Sequence, residues 1–204
     1  MEIYSTEEQQ AEAIKNFFRE NGTSLVLGAV LALGGLYGWK AYNQNQITSA
    51  EASSEAFNTL VESGEVLSKS DAFLADNADS NYAVLAAFVA AKEAVDGGEL
   101  AQAATKLQFV VDTVKNPELK ATALLRLARI QAAQGESDKA LSTLSQSVPA
   151  GFTAQIAEVK GDIYLSQGEK DKAREQYQAA IDAEGAENNA LLQIKLDDLA
   201  IASN

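Results

Sequence analysis

The chain has no cysteine and no histidine, and only two prolines, one tryptophan and one methionine in 204 residues. Without cysteine there is no disulfide framework, thiolate nucleophile or thiolate-bound zinc. Without histidine the usual general base and the commonest metal ligand are both missing, so triads built on an imidazole are excluded. Basic residues are scarce too: 16 Lys+Arg stand against 29 Asp+Glu, for a formal net charge of −13. Such acidity opposes binding to a polyanion, and no nucleic-acid partner is expected. These absences leave a protein that binds or holds other molecules.

The mean hydropathy of −0.13 suggests a soluble chain, but one window departs from it. Residues 21–39 carry no charge between Glu20 and Lys40, and their apolar part runs from Leu25 to Trp39. Nineteen helical residues reach about 28 Å, close to the roughly 30 Å of a bilayer's hydrocarbon. Tyr37, Trp39 and Tyr42 gather at one end, where amphipathic rings favour the interface, and Lys40 can snorkel beside them. A buried core helix would show a polar stripe, which is absent here. A cleaved signal peptide would have a basic start and small residues at its cleavage site. The first 20 residues are instead acidic, and Tyr37-Gly-Trp-Lys-Ala-Tyr42 suits cleavage poorly. The segment reads as an uncleaved anchor. Lys15 and Arg19 precede it, while Lys40 is the only basic residue after it before Lys69, which favours the amino terminus inside. The domains expected are a cytosolic lead over 1–22, a transmembrane helix over 23–39 and a translocated domain over 40–204.

Two smaller features belong to this end. Ser5-x-x-Glu8 and Thr6-x-x-Gln9 fit a capping box, and Ala11, Ile14, Phe17 and Phe18 fall on one helical face. Asn21-Gly22 supplies a stop signal. The lead is read either as a helix lying on the membrane or docking a partner, or as a solvated approach to the anchor. Within the span, Gly34 and Gly38 form a G-x-x-x-G pair, a candidate for close packing of a second transmembrane helix.

The remainder repeats. Gly-Glu recurs at Gly64, Gly98, Gly135 and Gly168, spaced by 34, 37 and 33 residues. Five residues after each glycine come Lys69, Ala103, Ala140 and Ala173; nine after come Phe73, Leu107, Leu144 and Tyr177. The last unit resembles a tetratricopeptide repeat, in which Gly161 and Ala173 let two antiparallel helices approach. Tyr164 and Tyr177 fill the space around them, and Gly168 turns the chain in a left-handed conformation. The unit before matches through Leu124, Leu127, Ala128, Gly135, Ala140 and Leu144. The one before that matches through Ala91, Gly98, Ala103 and Leu107. The first is degenerate, with Lys69 in place of the small residue, but it keeps Phe57, Leu60, Gly64 and Phe73. Pro117 suits a first helical turn, and Pro149-Ala-Gly151 a break before the last pair. Residues 187–201, with Leu191, Leu192, Ile194, Leu196 and Leu199, are expected to form an amphipathic capping helix. The fold class is therefore all-α: one transmembrane helix, then a tetratricopeptide-like solenoid of about four helix pairs and a cap. No Pro or Gly lies between Trp39 and Gly64, so the first repeat helix, from near Ile47, can continue the membrane helix and set the solenoid near the membrane rather than on a flexible tether.

Nothing in the sequence assembles a catalytic or cofactor site. There is no P-loop or dinucleotide fingerprint. Asp197-Asp198 and Glu187 lack the spacing of a calcium loop and read as a solvated acidic face. Ser142 and Ser145 have no partner base. No enzyme activity, metal or cofactor is expected. In tetratricopeptide proteins the concave face of the first helices commonly receives a peptide. The repeat register places Leu85, Phe88, Lys92, Leu125, Arg129, Glu158, Asp162 and Leu165 toward that groove. Leu85, Phe88 and Leu125 equally suit the core, since apolar residues are mostly buried.

The block Met1-Glu-Ile-Tyr4, then Ala13-Ile-Lys-Asn-Phe-Phe-Arg-Glu-Asn-Gly22, the span, Gly38-Trp-Lys40 and Leu125-Arg-Leu-Ala-Arg129 resemble the YfgM family, the ancillary tetratricopeptide-like subunits of the bacterial SecYEG translocon. The resemblance covers nearly the whole chain. It implies a single-pass protein of the Gram-negative inner membrane with its repeats in the periplasm. It also implies as partners the SecYEG translocon and a membrane-anchored periplasmic chaperone of the peptidyl-prolyl isomerase type. The cytosolic segment would contact a response regulator of envelope stress. Such a protein would help pass newly translocated proteins to periplasmic chaperones. The alternative expectation is a structural subunit that docks one fixed partner in another envelope assembly, without client contact.

Overall fold

A computed structural model describes residues 7–184 and 190–201. Ser5 and Thr6 of the expected capping box, and residues 187–189 of the expected cap, lie outside the described residues. The chain divides into two compact units, Met1–Ala52 and Ser53–Asn204, and the described residues form helices joined by turns and short loops, with no strands among them.

The described residues of the first unit belong to a single helix, α1, which runs from Glu7 to Glu62 over 56 residues. Its length is roughly 84 Å at the α-helical rise. Among the described residues it is the one helix long and apolar enough to cross a membrane, and none of its apolar stretch is buried. Leu31, Leu33, Leu36, Tyr37 and Trp39 are all exposed. The stop expected at Asn21-Gly22 does not occur. Gly22 keeps a negative φ, so the left-handed turn that ends a helix never forms. Asn21 Nδ2 instead donates to the Phe17 carbonyl at 3.1 Å, inside the helix. Beyond Gly22 the chain is apolar, and helical backbone bonding is then the cheapest way to satisfy its peptide groups. The helix also passes without a break from Trp39 to Glu62.

The second unit begins in the last turns of α1 and continues through α2 (Val66–Asp76), α3 (Asn81–Asp96), α4 (Leu100–Thr113), α5 (Pro117–Ala133), α6 (Ser137–Thr143), α7 (Thr153–Ser166), α8 (Lys170–Glu184) and α9 (Ala190–Ile201). From α2 onward each helix packs on its sequence neighbour, as a solenoid requires. Gly64, Gly98, Gly135 and Gly168 have φ of 65°, 76°, 80° and 78°, the only positive values among the described residues. At the last three, the following glutamate donates its N–H to a carbonyl in the final turn of the preceding helix: Glu99 to Ala94, Glu136 to Gln131 and Glu169 to Tyr164, at 2.7, 2.9 and 2.9 Å. The turn at Gly64 lacks that bond; Glu65 N–H goes to Ser63 Oγ at 3.3 Å. The degeneracy of the first unit is thus visible in its turn. It is visible in its packing too: Lys69 is exposed and paired with Glu65, while Phe57 packs against Phe73 and Tyr82 with ring centroids 6.3 and 5.6 Å apart.

Helix starts carry their expected chemistry. Ser80 Oγ accepts from Tyr82 N–H at 3.1 Å. Asn116 Oδ1 accepts from Leu119 N–H at 2.8 Å, ahead of Pro117 in the first turn of α5. Pro149 precedes a single 3-10 turn, Ala150–Phe152, that leads into α7.

The interior is alanine-lined where helices cross: Ala83, Ala86, Ala87, Ala90, Ala94 and Ala103 are fully buried. Small residues let backbones approach and replace side-chain volume with backbone contact. One apolar cluster runs from Leu60 to Leu127, and a second takes Leu125 and Ala128 from α5 and joins them to Leu144, Ile156, Val159 and Ile163. Helix α6, only seven residues long, adds Ala140 to the second cluster. There Thr143 Oγ1 donates to Gln131 Oε1 at 2.7 Å within the core, so neither polar side chain is left unsatisfied.

The cap departs from the expected amphipathic pattern. Leu192 and Leu199 are buried, but Leu191 and Ile194 are more than half exposed. Positions 192 and 199 lie two turns apart on one face, and 191 and 194 fall on the other.

Candidate partner groove

The register of the repeats brings some of the predicted groove residues together and separates others. On α3, Leu85 is exposed, Phe88 half-buried and Lys92 exposed. On α5, Arg129 is exposed. Phe88, Lys92 and Arg129 meet in a groove of about 320 Å³ between α3 and α5, completed by Ala91, Val95, Leu107, Arg126 and Ile130. Arg126 lays its guanidinium over the Phe88 ring, 5.2 Å from the centroid. Lys92 Nζ pairs with Asp96 at 2.5 Å, one turn on. That contact holds the Lys92 pKa above the ordinary lysine value, the hydrogen bond to Asp96 being the main cause and its charge the second.

Leu125 is not in this groove. It is 5% exposed and packs with Ile156 and Val159 of α7, because α7 covers the face of α5 on which Leu125 lies. Leu165 is exposed near the end of α7, away from the groove lining. Glu158 and Asp162 are engaged elsewhere. Lys195 of α9 donates to Glu158 Oε1 at 2.8 Å and to Asp162 Oδ1 at 2.7 Å. Tyr177 of α8 donates its hydroxyl to the same Asp162 oxygen at 2.8 Å. The Lys195 ammonium also sits 5.6 Å from the Tyr177 ring centroid. Burial pulls the Lys195 pKa down, but its bonds and charge contacts to Asp162 and Glu158 more than offset this and leave it raised. Burial, then the Asp162 contact, pushes Tyr177 far above the ordinary phenol value. These four side chains tie α7, α8 and α9 together. Reversing Asp162 would therefore strip Lys195 and Tyr177 of a partner rather than alter a free groove wall.

Two participants escaped the repeat register. Arg126 is three residues before Arg129 on the same helical face, a signal present in the sequence. Lys195 lies 33 residues from Asp162 in sequence, and only the docking of α9 brings them together.

Gly34 and Gly38 lie in α1, and a Cβ at either would meet nothing within 4 Å. Both glycines are open to a packing partner, and among the described residues none packs against either.

The family model described as a tetratricopeptide repeat-like domain matches residues 15–201. The chain is 36% identical to the ancillary SecYEG translocon subunit of Escherichia coli K12, across 98% of this chain and 100% of that one. It is 31% identical to the ancillary SecYEG translocon subunit of Aggregatibacter actinomycetemcomitans and 28% identical to that of Haemophilus influenzae, in both cases across 95% of this chain and 97% of the other. A solved thermophilic tetratricopeptide repeat protein of Thermus thermophilus is 24% identical, with a TM-score of 0.48, covering 92% of this chain and 98% of that one. With a repeat-like model matched over most of its length and a relative above 30% identity aligned end to end, this chain belongs to the tetratricopeptide-like family of ancillary SecYEG translocon subunits.

Proposed function

We propose that this protein is a membrane-anchored scaffold of the Sec translocon that helps pass newly translocated proteins to periplasmic chaperones. One observation carries the reading: the similarity to ancillary SecYEG translocon subunits extends over 98% of the chain, anchor and repeats together. The long apolar α1 and the helical repeats behind it support the same reading. The protein works as an interaction scaffold rather than as an enzyme. In this reading α1 crosses the bacterial inner membrane with its amino terminus in the cytosol, as the basic residues Lys15 and Arg19 before the span favour. The repeats then face the periplasm, where a membrane-anchored peptidyl-prolyl isomerase-type chaperone is the second partner. The residues ahead of the span contact a cytosolic response regulator.

The test is affinity purification of the full-length chain from crosslinked membranes. SecYEG and the chaperone are expected in the eluate, and a photocrosslinker at Phe88 is expected to capture many translocated proteins. Absence of SecYEG would overturn the reading, and one crosslinked band would mark a fixed docking subunit. Protease added to spheroplasts is expected to digest residues 50–204; their protection would reverse the orientation.

A further inference from the structure

The groove between α3 and α5 has a charge that does not match the rest of the protein. Residues 40–204 hold 14 basic and 24 acidic side chains. Helix α5 nonetheless carries Lys120, Arg126 and Arg129 against Glu118 alone. Arg126 and Arg129 both line the groove. Among the described residues neither guanidinium has a carboxylate within ion-pair distance, whereas Lys92 on the opposite wall is already paired with Asp96. The other carboxylate of this part of α3 is committed too: Glu93 Oε2 accepts from Leu67 N–H at 2.7 Å. In an acidic chain, two unpaired arginines on one helical face are an uncompensated positive site.

The floor between them is apolar. Phe88 and Ile130 are half-buried, Ala91 and Leu107 are buried, and Val95 is 40% exposed. Arg126 places its guanidinium carbon over the Phe88 ring. A ring contact uses the cation's charge and none of its N–H donors, which present a fork that matches a carboxylate. At about 320 Å³ the groove is near the lower end of ligand-sized pockets, room for one or two side chains rather than a whole helix.

We propose that this groove binds an acidic segment of a partner protein, an apolar side chain entering beside Phe88 and neighbouring carboxylates held by Arg126 and Arg129. The proposal rests on the scaffold reading above and names the chemistry of the segment it holds. Charge complementarity selects the occupant: a basic segment would face two like charges, and an uncharged one would leave both forks unused.

The test uses the full chain in nanodiscs and short fluorescein-labelled peptides read by anisotropy. One peptide carries a leucine flanked by glutamates, one has lysines in place of the glutamates, and one has serine in place of the leucine. The acidic leucine peptide is expected to bind, more weakly as salt rises, and both other peptides at least about tenfold more weakly. Arg126→Glu/Arg129→Glu is expected to lose the acidic peptide and gain the lysine one, a reciprocal change that misfolding would not produce. Equal binding of all three peptides, or an unchanged preference in the double variant, would overturn the proposal. So would self-association that disappears in the double variant while the acidic peptide fails to bind, which would make a second copy the occupant. SecYEG co-purification is scored separately, so loss of the peptide with SecYEG retained refutes the groove and leaves the scaffold reading standing.

Discussion

Gly161→Ala measures how closely α7 and α8 approach. A Cβ at Gly161 would sit 2.5 Å from Tyr177 Cδ1, closer still to Cε1 and 3.1 Å from Cζ. The ring has nowhere to go. It is fully buried among Ala157, Ala173 and Ala180, and its hydroxyl is fixed to Asp162 at 2.8 Å. Overpacking costs about 1–3 kcal/mol, and contacts this short against a fixed ring fall in the upper part of that range, about 2–3 kcal/mol. Replacing a mid-helix glycine by alanine returns up to about 1 kcal/mol in helix propensity. The net expectation is a destabilisation of about 1–2 kcal/mol, a factor of about 5–30 in local opening. Repeat arrays open locally, so hydrogen exchange of the α7 and α8 amides in the full-length, detergent-solubilised chain is the readout. Two controls isolate the clash. Gly22→Ala, where nothing lies within 4 Å, should be neutral or slightly stabilising. In a Tyr177→Leu background, Gly161→Ala should lose its cost, because the opposing ring atoms are gone. Exchange in Gly161→Ala no faster than wild type, or an equal cost in both backgrounds, would refute the close-approach argument.

The positive φ of 80° at Gly135 predicts that Gly135→Ala lowers stability by about 1–2 kcal/mol, read as faster exchange in α5 and α6. Leu125→Ala should cost about 2–5 kcal/mol because the side chain is buried against α7. Leu85→Ala, at 43% exposure, should stay within about 0.5 kcal/mol, both variants being compared by hydrogen exchange. The raised pKa values of Lys195 and Tyr177 mean that their contribution to docking α9 is fully present below their ordinary values and lost only as pH rises past them. Exchange in α9 should therefore stay constant from neutral pH to about pH 10, after correction for intrinsic exchange, and increase above it. Tyr177→Phe should remove one late-ionising phenol from an ultraviolet titration.

The helix pairs were legible because their turns impose a backbone requirement that one residue type meets cheaply. A left-handed residue every 33 to 37 positions is met most cheaply by glycine, and in the last three turns the following glutamate N–H completes the motif. The absence of a break at Asn21-Gly22 was not legible, because the same dipeptide ends a helix in water and continues one through an apolar stretch. The groove was legible in part. Helical register puts Phe88, Lys92 and Arg129 on one surface, but it cannot say which surface a later helix covers. Leu125 went to the core because α7 arrives on its side of α5, and Glu158 and Asp162 were taken by a lysine more than thirty residues away.

The short helix α6 gives the array a direction. Any chain leaves the ribosome amino terminus first, and the cluster from Leu60 to Leu127 closes without a side chain beyond Val148. The second cluster has no such independence, since Leu125 and Ala128 of α5 form one of its walls. The first half is therefore a template that is complete before α7 exists, and the second half grows upon it. Unfolding should retrace the order, with α7–α9 peeling from a first half that remains standing. A protease that finds the chain in that half-open state should cut between Ser145 and Gly151, where helix gives way to a loop and a single 3-10 turn.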